Sequence, residues 1–218
     1  MYRTEIIQKI IDKLNSKTYF EIGVGWGGPN FKEVNVENKI GIDPLSPNKE
    51  LRKILNKNIR YFQMTSDEFF ATKAPILFDE KKIDVAFIDG LHYFKQVLKD
   101  VKNCLNYLNE KGVILIHDCN PNSREMQVVP RTQFEWTGDV WKAVVHLRSL
   151  FKDINVFVLN CDYGLGIVTK EKPEGVLEYS KKAIEKMTYE YLDRKRKKLL
   201  NLKEEEYFNQ FLDTATFK

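Results

Sequence analysis

Apolar residues fall along this chain in two rhythms. Ile6, Ile7, Ile10, Ile11 and Leu14 recur at helical spacing and predict an amphipathic helix over residues 3–14. Short apolar runs then alternate with helical stretches. Runs at 19–22, 39–42, 59–63, 83–88 and 112–116 predict five strands. The run at 83–88 is largely apolar, as expected of a central parallel strand buried on both faces. Between them, residues 49–55 and 68–71 read as helices, 29–36 as a short helix or loop, and 93–108 as a helix. That last helix turns Phe94, Val97, Leu98, Val101, Leu105 and Leu108 inward. Residues 122–137 are polar and irregular, the composition of a lid over a binding site. A helix over 138–151 follows, carrying Trp141, Val144, Val145 and Leu150. Two further strands, 154–159 and 165–168, are joined by a short turn and predict a closing antiparallel pair. From 173 onward the pattern is helical, with apolar stripes at Ala183, Met187, Tyr191, Leu199 and Leu200.

Seven strands interleaved with helices define an α/β fold with a mostly parallel sheet and helices on both faces. There is no internal repeat and no linker composition. One domain over 1–218 is expected, with its core at about 19–169 and a helical tail at 173–218.

The first strand ends in a turn dense with Gly23, Gly25, Gly27 and Gly28, and the second delivers Asp43. Glycines let backbone approach a ligand closely, and a carboxylate at the next strand end accepts hydrogen bonds from ribose hydroxyls. A nucleoside is therefore the expected ligand. The spacing Glu21-x-Gly23-x-Gly25-x-Gly27 is not the dinucleotide form, in which a helix N-terminus faces a pyrophosphate. An acid in front of the turn favours a ligand with an amino group over one with phosphates. The third strand ends in Met64, Thr65, Ser66 and Asp67. Met64 is placed to cover a base, and Ser66 or Asp67 to reach its edge or to cap the next helix. In open α/β sheets ligands bind beyond the carboxyl ends of the strands, so Asp43, Asp89 and Asp118 point at one crevice.

The glycine turn followed by Asp43 resembles the cofactor site of the class I S-adenosylmethionine-dependent methyltransferases. The segments Phe87-Ile-Asp-Gly-Leu-His92, His117-Asp-Cys-Asn-Pro121 and Gly138-Asp-Val-Trp-Lys142 resemble a small-domain subgroup that O-methylates sugars and related glycans. The resemblance spans roughly residues 19–169. It implies a Rossmann-like sheet, S-adenosyl-L-methionine as cofactor, and an O-methyltransferase acting on a hydroxyl of a sugar or glycan-related acceptor. Glu21, Gly23, Gly25, Trp26, Asp43, Thr65, Ser66 and Asp89 would contact the cofactor. Asp89 and Asp118 would hold a metal, with Mg²⁺ the natural choice for two carboxylates.

A sugar hydroxyl is a weak nucleophile near neutral pH, so a base or a cation has to assist it. The chain has three histidines. His92, three residues after Asp89, is the expected general base, with an ordinary pKa suited to neutral pH. His117 immediately precedes Asp118, and strand alternation would turn the two side chains apart. His146 reads as a half-buried helix residue. Where related catechol-type sites carry an Asp-Asn pair, this chain has Asp118-Cys119. A thiol is a poor Mg²⁺ ligand, so Asn120 or His117 would have to complete the set. A metal-free form, with Asp89 orienting His92 and Asp118 binding acceptor, stays open. His117, Asn120, Asp139 and Trp141 are the candidate acceptor contacts. Arg124 and Arg131 in the lid suggest an anionic acceptor.

Composition adds boundaries. Hydrophobic content is 43% and no apolar run approaches the length of a membrane span. Three cysteines, Cys104, Cys119 and Cys161, form no pair motif, and no leader pattern opens the chain. A cytoplasmic protein is the expectation. A net charge of +4 is too mild to imply a nucleic-acid partner. The basic run Arg194 to Lys198 reads as a solvated helix face balanced by Glu204, Glu205 and Glu206, and the C-terminal helices offer a surface for a homo-oligomer. Three other readings remain: a methyltransferase acting on RNA or another small molecule, a nicotinamide oxidoreductase, and a non-catalytic interaction protein.

Overall fold

The computed structural model describes residues 1–79 and 82–214. Five strands run parallel: β1 (Thr18–Ile22), β2 (Asn38–Asp43), β3 (Ile59–Gln63), β4 (Ile83–Ile88) and β5 (Leu108–Ile116). β6 (Asn155–Leu159) and β7 (Leu165–Thr169) form the antiparallel pair, with β7 seated against β5. A two-residue β8 (Leu202–Lys203) adds to the outer edge of β6. The order β3-β2-β1-β4-β5-β7-β6-β8 is the doubly wound, Rossmann-like arrangement. The sheet has eight strands, one more than the seven expected. The extra strand lies in the tail, where two residues between helices leave no periodic signal.

Eleven helices cover the sheet among the described residues. α1 (Arg3–Leu14), α2 (Pro29–Glu33) and α3 (Lys49–Ile54) lie on one face, together with the last helix of the chain. α4 (Ser66–Thr72), α5 (Ala74–Leu77) and α6 (Phe94–Tyr107) lie on the other. α7 (Arg124–Gln127) is a single turn inside the lid segment. α8 (Trp141–Leu150), α9 (Lys181–Glu185) and α10 (Tyr189–Leu200) join the α6 face, and α11 (Tyr207–Thr214) joins α1. The two cores follow from strand alternation. Phe20, Ile22, Ala86 and Ile88 face α4 and α6, while Tyr19, Val85 and Phe87 face α1.

Two differences from the sequence pattern bear on the site. The helix expected from 138 begins at Trp141, because Gly138 takes a left-handed φ of +59°. The tail is not an appendage. The carbonyls of Lys198 and Leu199, at the end of α10, accept hydrogen bonds from the buried guanidinium of Arg148 on α8. The Arg194–Lys198 run lies in α10, which kinks at Lys195. The expected balancing acids are engaged elsewhere: Glu204 accepts from Asn160, and Glu205 pairs with the N-terminal amine.

Candidate active site

A cavity of about 470 Å³ opens beyond the carboxyl ends of β1, β2, β3 and β4. That is room for a nucleoside with a short side chain. The turn after β1 makes its floor. Gly23 has φ +87°, and a Cβ there would lie 2.1 Å from the Asp89 carbonyl oxygen, so only glycine lets the two strand ends meet. Gly25, at φ +70°, has open space where its Cβ would be. Its amide donates to Asp43 Oδ2 at 2.8 Å, and the Leu45 amide donates to Oδ1 at 2.8 Å. Two backbone bonds thus fix the Asp43 carboxylate at the cavity wall. Met64, Thr65, Ser66 and Asp67 form the far side, and Thr65 also caps α4 by accepting from the Glu68 amide. Capping and cavity lining coexist there.

Two expected cofactor contacts lie elsewhere. Trp26 is 67% exposed and sits over Pro47 and Asn48, on the outer side of the turn. Glu21 is buried beneath the turn, where Tyr19 donates to its carboxylate at 2.7 Å. The place of Glu21 follows from strand parity: it shares a face with Tyr19, toward α1, and that face holds the core. Burial pushes the Glu21 carboxyl up to about 8, outweighing the Tyr19 hydrogen bond. Conversely, Gln96 on α6 lines the cavity and was not anticipated. Its amide donates to Ser66 Oγ at 3.1 Å and to Asp67 Oδ1 at 3.0 Å. A glutamine in the first turn of an amphipathic helix carries no distinguishing signal.

Asp89 borders the cavity and also belongs to a titratable cluster. His92 Nε2 lies 3.3 Å from Asp89 Oδ1, and its Nδ1 lies 3.3 Å from Asp118 Oδ2 and 3.2 Å from the Trp136 carbonyl. His117 Nδ1 lies 3.1 Å from Asp89 Oδ1 and 3.3 Å from Asp118 Oδ1. The expected divergence of His117 and Asp118 is overturned. Asp118 has φ +61°, which breaks strand alternation and brings both side chains to one side. Behind His117 stand Asp162, on the turn between β6 and β7, and Arg3 of α1, paired with Asp162 at 2.8 Å. Neither was legible: the turn read only as a turn, and Arg3 as the start of a helix.

The charges explain the titration. Burial alone would push Asp89 up, but the His117 charge and bonds from His117 and His92 outweigh it and hold the carboxyl well below the ordinary range. Burial would lower His92, and the bond to Asp89 with the charges of Asp118 and Asp89 raises it instead. His117 is likewise raised, by Asp89 and by bonds to Asp118 and Asp162. Asp89, His92 and Asp118 each offer one ligand atom, all within 4.8 Å of one another. Two carboxylates and an imidazole suit a divalent cation. Neither Asn120 nor His117 belongs to this trio; its third member is His92, the residue expected as general base.

Other candidate acceptor contacts have structural duties. Trp141 is fully buried in the core, its Nε1 donating to Gln127. Asp139 Oδ1 accepts from the Phe94 amide at 2.9 Å and so fixes the start of α6. Asn120 is buried, bonded to Asn160 and to Arg196 of α10. Arg124 pairs with Glu190, and Arg131 donates to the carbonyl of Gln133 in its own loop. The lid returns over His92: Trp136 stacks on the imidazole at 5.4 Å, and a Cβ on Gly138 would lie 1.8 Å from the His92 carbonyl oxygen. Gly138→Ala is therefore expected to cost about 1–3 kcal/mol from the left-handed backbone alone, seen as a lowered Tm. An unchanged Tm would mean this contact does not hold the lid.

Residues 21–119 match the family model described as a methyltransferase domain. An uncharacterised protein of Acanthamoeba polyphaga mimivirus is 32% identical over 126 residues, 52% of this chain and 56% of that one. This chain thus spans little more than half the length of that curated relative. Among solved structures, the Podospora anserina methyltransferase PaMTH1 bound to S-adenosylhomocysteine superposes with a TM-score of 0.58. It is 16% identical and covers 79% of this chain and 80% of its own. TomG, the Streptomyces achromogenes O-methyltransferase of tomaymycin synthesis, solved with S-adenosylmethionine, gives 0.55 at 10% identity, covering 78% and 79%. MycE of the mycinamycin pathway, solved with Mg and S-adenosylhomocysteine, gives 0.51 at 16% identity, covering 79% of this chain and 50% of its own. At such identities the likeness establishes the fold alone, a Rossmann-like α/β sheet shared with these three methyltransferases.

Proposed function

We propose that this chain transfers the methyl group of S-adenosylmethionine to a hydroxyl of a sugar or glycan-related acceptor. The observation that carries the reading is the dual position of Asp89, on the wall of the nucleoside-sized cavity and inside the His92–Asp118 cluster. A donor in the cavity would meet the cluster at its reactive end. In the transfer, the acceptor oxygen forms a bond to the methyl carbon as the carbon–sulfur bond breaks, and the acceptor proton goes to His92. The donor is already activated, so alignment and proton removal are the protein's share. Asp89 and Asp118 would hold a divalent cation such as Mg²⁺, which stabilises a developing alkoxide when bound.

The acceptor assignment rests on the surface beside His92. Trp136 stacks on His92, Tyr93 packs edge-on against Trp136, and Phe134 is 91% exposed. Aromatic faces next to carboxylates match the apolar faces and hydroxyl rims of pyranoses. No helix among the described residues is long and apolar enough to cross a membrane. Three buried, unpaired cysteines fit a reducing compartment such as the cytoplasm.

The test begins with the donor. S-adenosylhomocysteine at a hundred times its dissociation constant should add about 2.7 kcal/mol to stability, while NAD should add nothing. Asp43→Ala should weaken that binding roughly tenfold to a hundredfold by removing a charged hydrogen-bond acceptor. Labelled donor offered to a panel of sugars and simple alcohols, with and without EDTA, then reads the acceptor class and the need for metal. Binding without transfer to any sugar would remove the glycan assignment and leave the donor site intact.

A further inference from the structure

At the opposite, N-terminal ends of β1, β2 and β3 lies a second cavity, of about 150 Å³, walled by Thr18, Asn38, Lys57, Asn58 and Arg60 over an apolar floor. Parallel register places it: Thr18 sits opposite Asn38, and Ile40 opposite Arg60. Two cations face this space and no acid lines it. The Arg60 Nε is buried without a hydrogen-bond partner, and among the described residues no ion pair joins Arg60 or Lys57 to a carboxylate. Asp84 is nearby, but its oxygens accept from the amides of Lys17 and Thr18 and from the side chain of Asn109.

A buried N–H left unpaired costs about 1–3 kcal/mol. An unpaired donor in a cavity wall is a place where an external acceptor can complete it. A guanidinium, an ammonium, the Asn58 amide and a hydroxyl line this small space, beside the Asn38 amide that donates to the Lys17 carbonyl, and together they match a tetrahedral oxyanion. We infer that this cavity binds a phosphate group, either free phosphate or the head of a small phosphate monoester. Its volume excludes a nucleotide. The site is separate from the crevice by the length of a strand, about 16 Å for five residues, so it stands or falls independently of the methyl-transfer reading.

The test is a melting series on the full chain in sodium phosphate, glycerol 3-phosphate and sodium chloride at matched ionic strength. Phosphate should raise Tm saturably above chloride. Arg60→Met should abolish the rise, and in chloride it should melt no lower than the parent, since it removes a buried unpaired N–H. Lys57→Met, at an exposed position, should fold normally and shift half-saturation about tenfold, the effect of one lost charged contact. A stronger response to glycerol 3-phosphate assigns the ester, and a stronger response to phosphate assigns the free ion. Neither variant should alter the response to S-adenosylhomocysteine. No saturable rise above chloride, or an undiminished rise in either variant that folds, overturns the site.

Discussion

His92→Gln is expected to lower the rate of methyl transfer by about 10²–10⁴-fold, the range a positioned general base contributes. It should leave S-adenosylhomocysteine binding unchanged, because His92 does not line the cavity beyond the strand ends. The glutamine amide can keep a hydrogen bond to Asp89 or to the Trp136 carbonyl, so the lid contact survives while the exchangeable proton site is lost. The pH profile separates this role from a merely structural one. A base acts when unprotonated, and the carboxylates around His92 raise its pKa above the ordinary histidine value. Parent activity should therefore keep rising with pH beyond the point where an ordinary histidine would level off. The variant should lack that limb. Transfer lowered equally at every pH, together with weaker donor binding, would assign His92 to packing.

The order of strands and helices was legible because each carries its own periodicity. The crevice was legible because Gly23, Gly25 and Asp43 stand at strand ends that a doubly wound sheet must bring together. The same rule brings Asp89 and Asp118 to one crevice, and His92, three residues after Asp89, lies beside both. What escaped depended on side-chain direction. Parity sends Glu21 into the α1 face, and a left-handed residue at Asp118 cancels parity for His117. Long-range partners escaped entirely. Arg3, Asp162, Gln96 and Arg196 reach the site from elements whose local pattern says only helix or turn.

Arg196 changes the meaning of the tail. Its guanidinium bonds the Asn120 side chain at 2.5 Å and the Pro121 carbonyl at 2.8 Å, while Tyr189 bonds the Asn122 carbonyl at 2.9 Å. α10 thus clamps the loop that begins with Asp118. A basic run that reads as a solvated face supplies one of the struts of the loop that carries Asp118.

Glu21→Gln is expected to flatten the fall of stability with rising pH. The Glu21 carboxyl, ordinarily at 4.5, is raised to about 8 by burial, so the folded chain binds more protons than the unfolded one between those values. Stability then drops as pH increases through this window, by at most about 1.4 kcal/mol per unit and about 5 kcal/mol in all. His92 and His117, also raised, add to the loss above the ordinary histidine pKa, whereas Asp89, held low, contributes stability that disappears only in acid. The glutamine variant keeps these three contributions and removes one. Its Tm should match the parent near pH 5 and exceed it near pH 8. Parallel curves would mean that Glu21 is ionised throughout. That outcome would return it to the role its place before the glycine turn suggests, a carboxylate for the donor's amino group. A neutral, buried Glu21 would leave that amino group to the backbone of the turn and to Asp89, one of three acids that line the cavity.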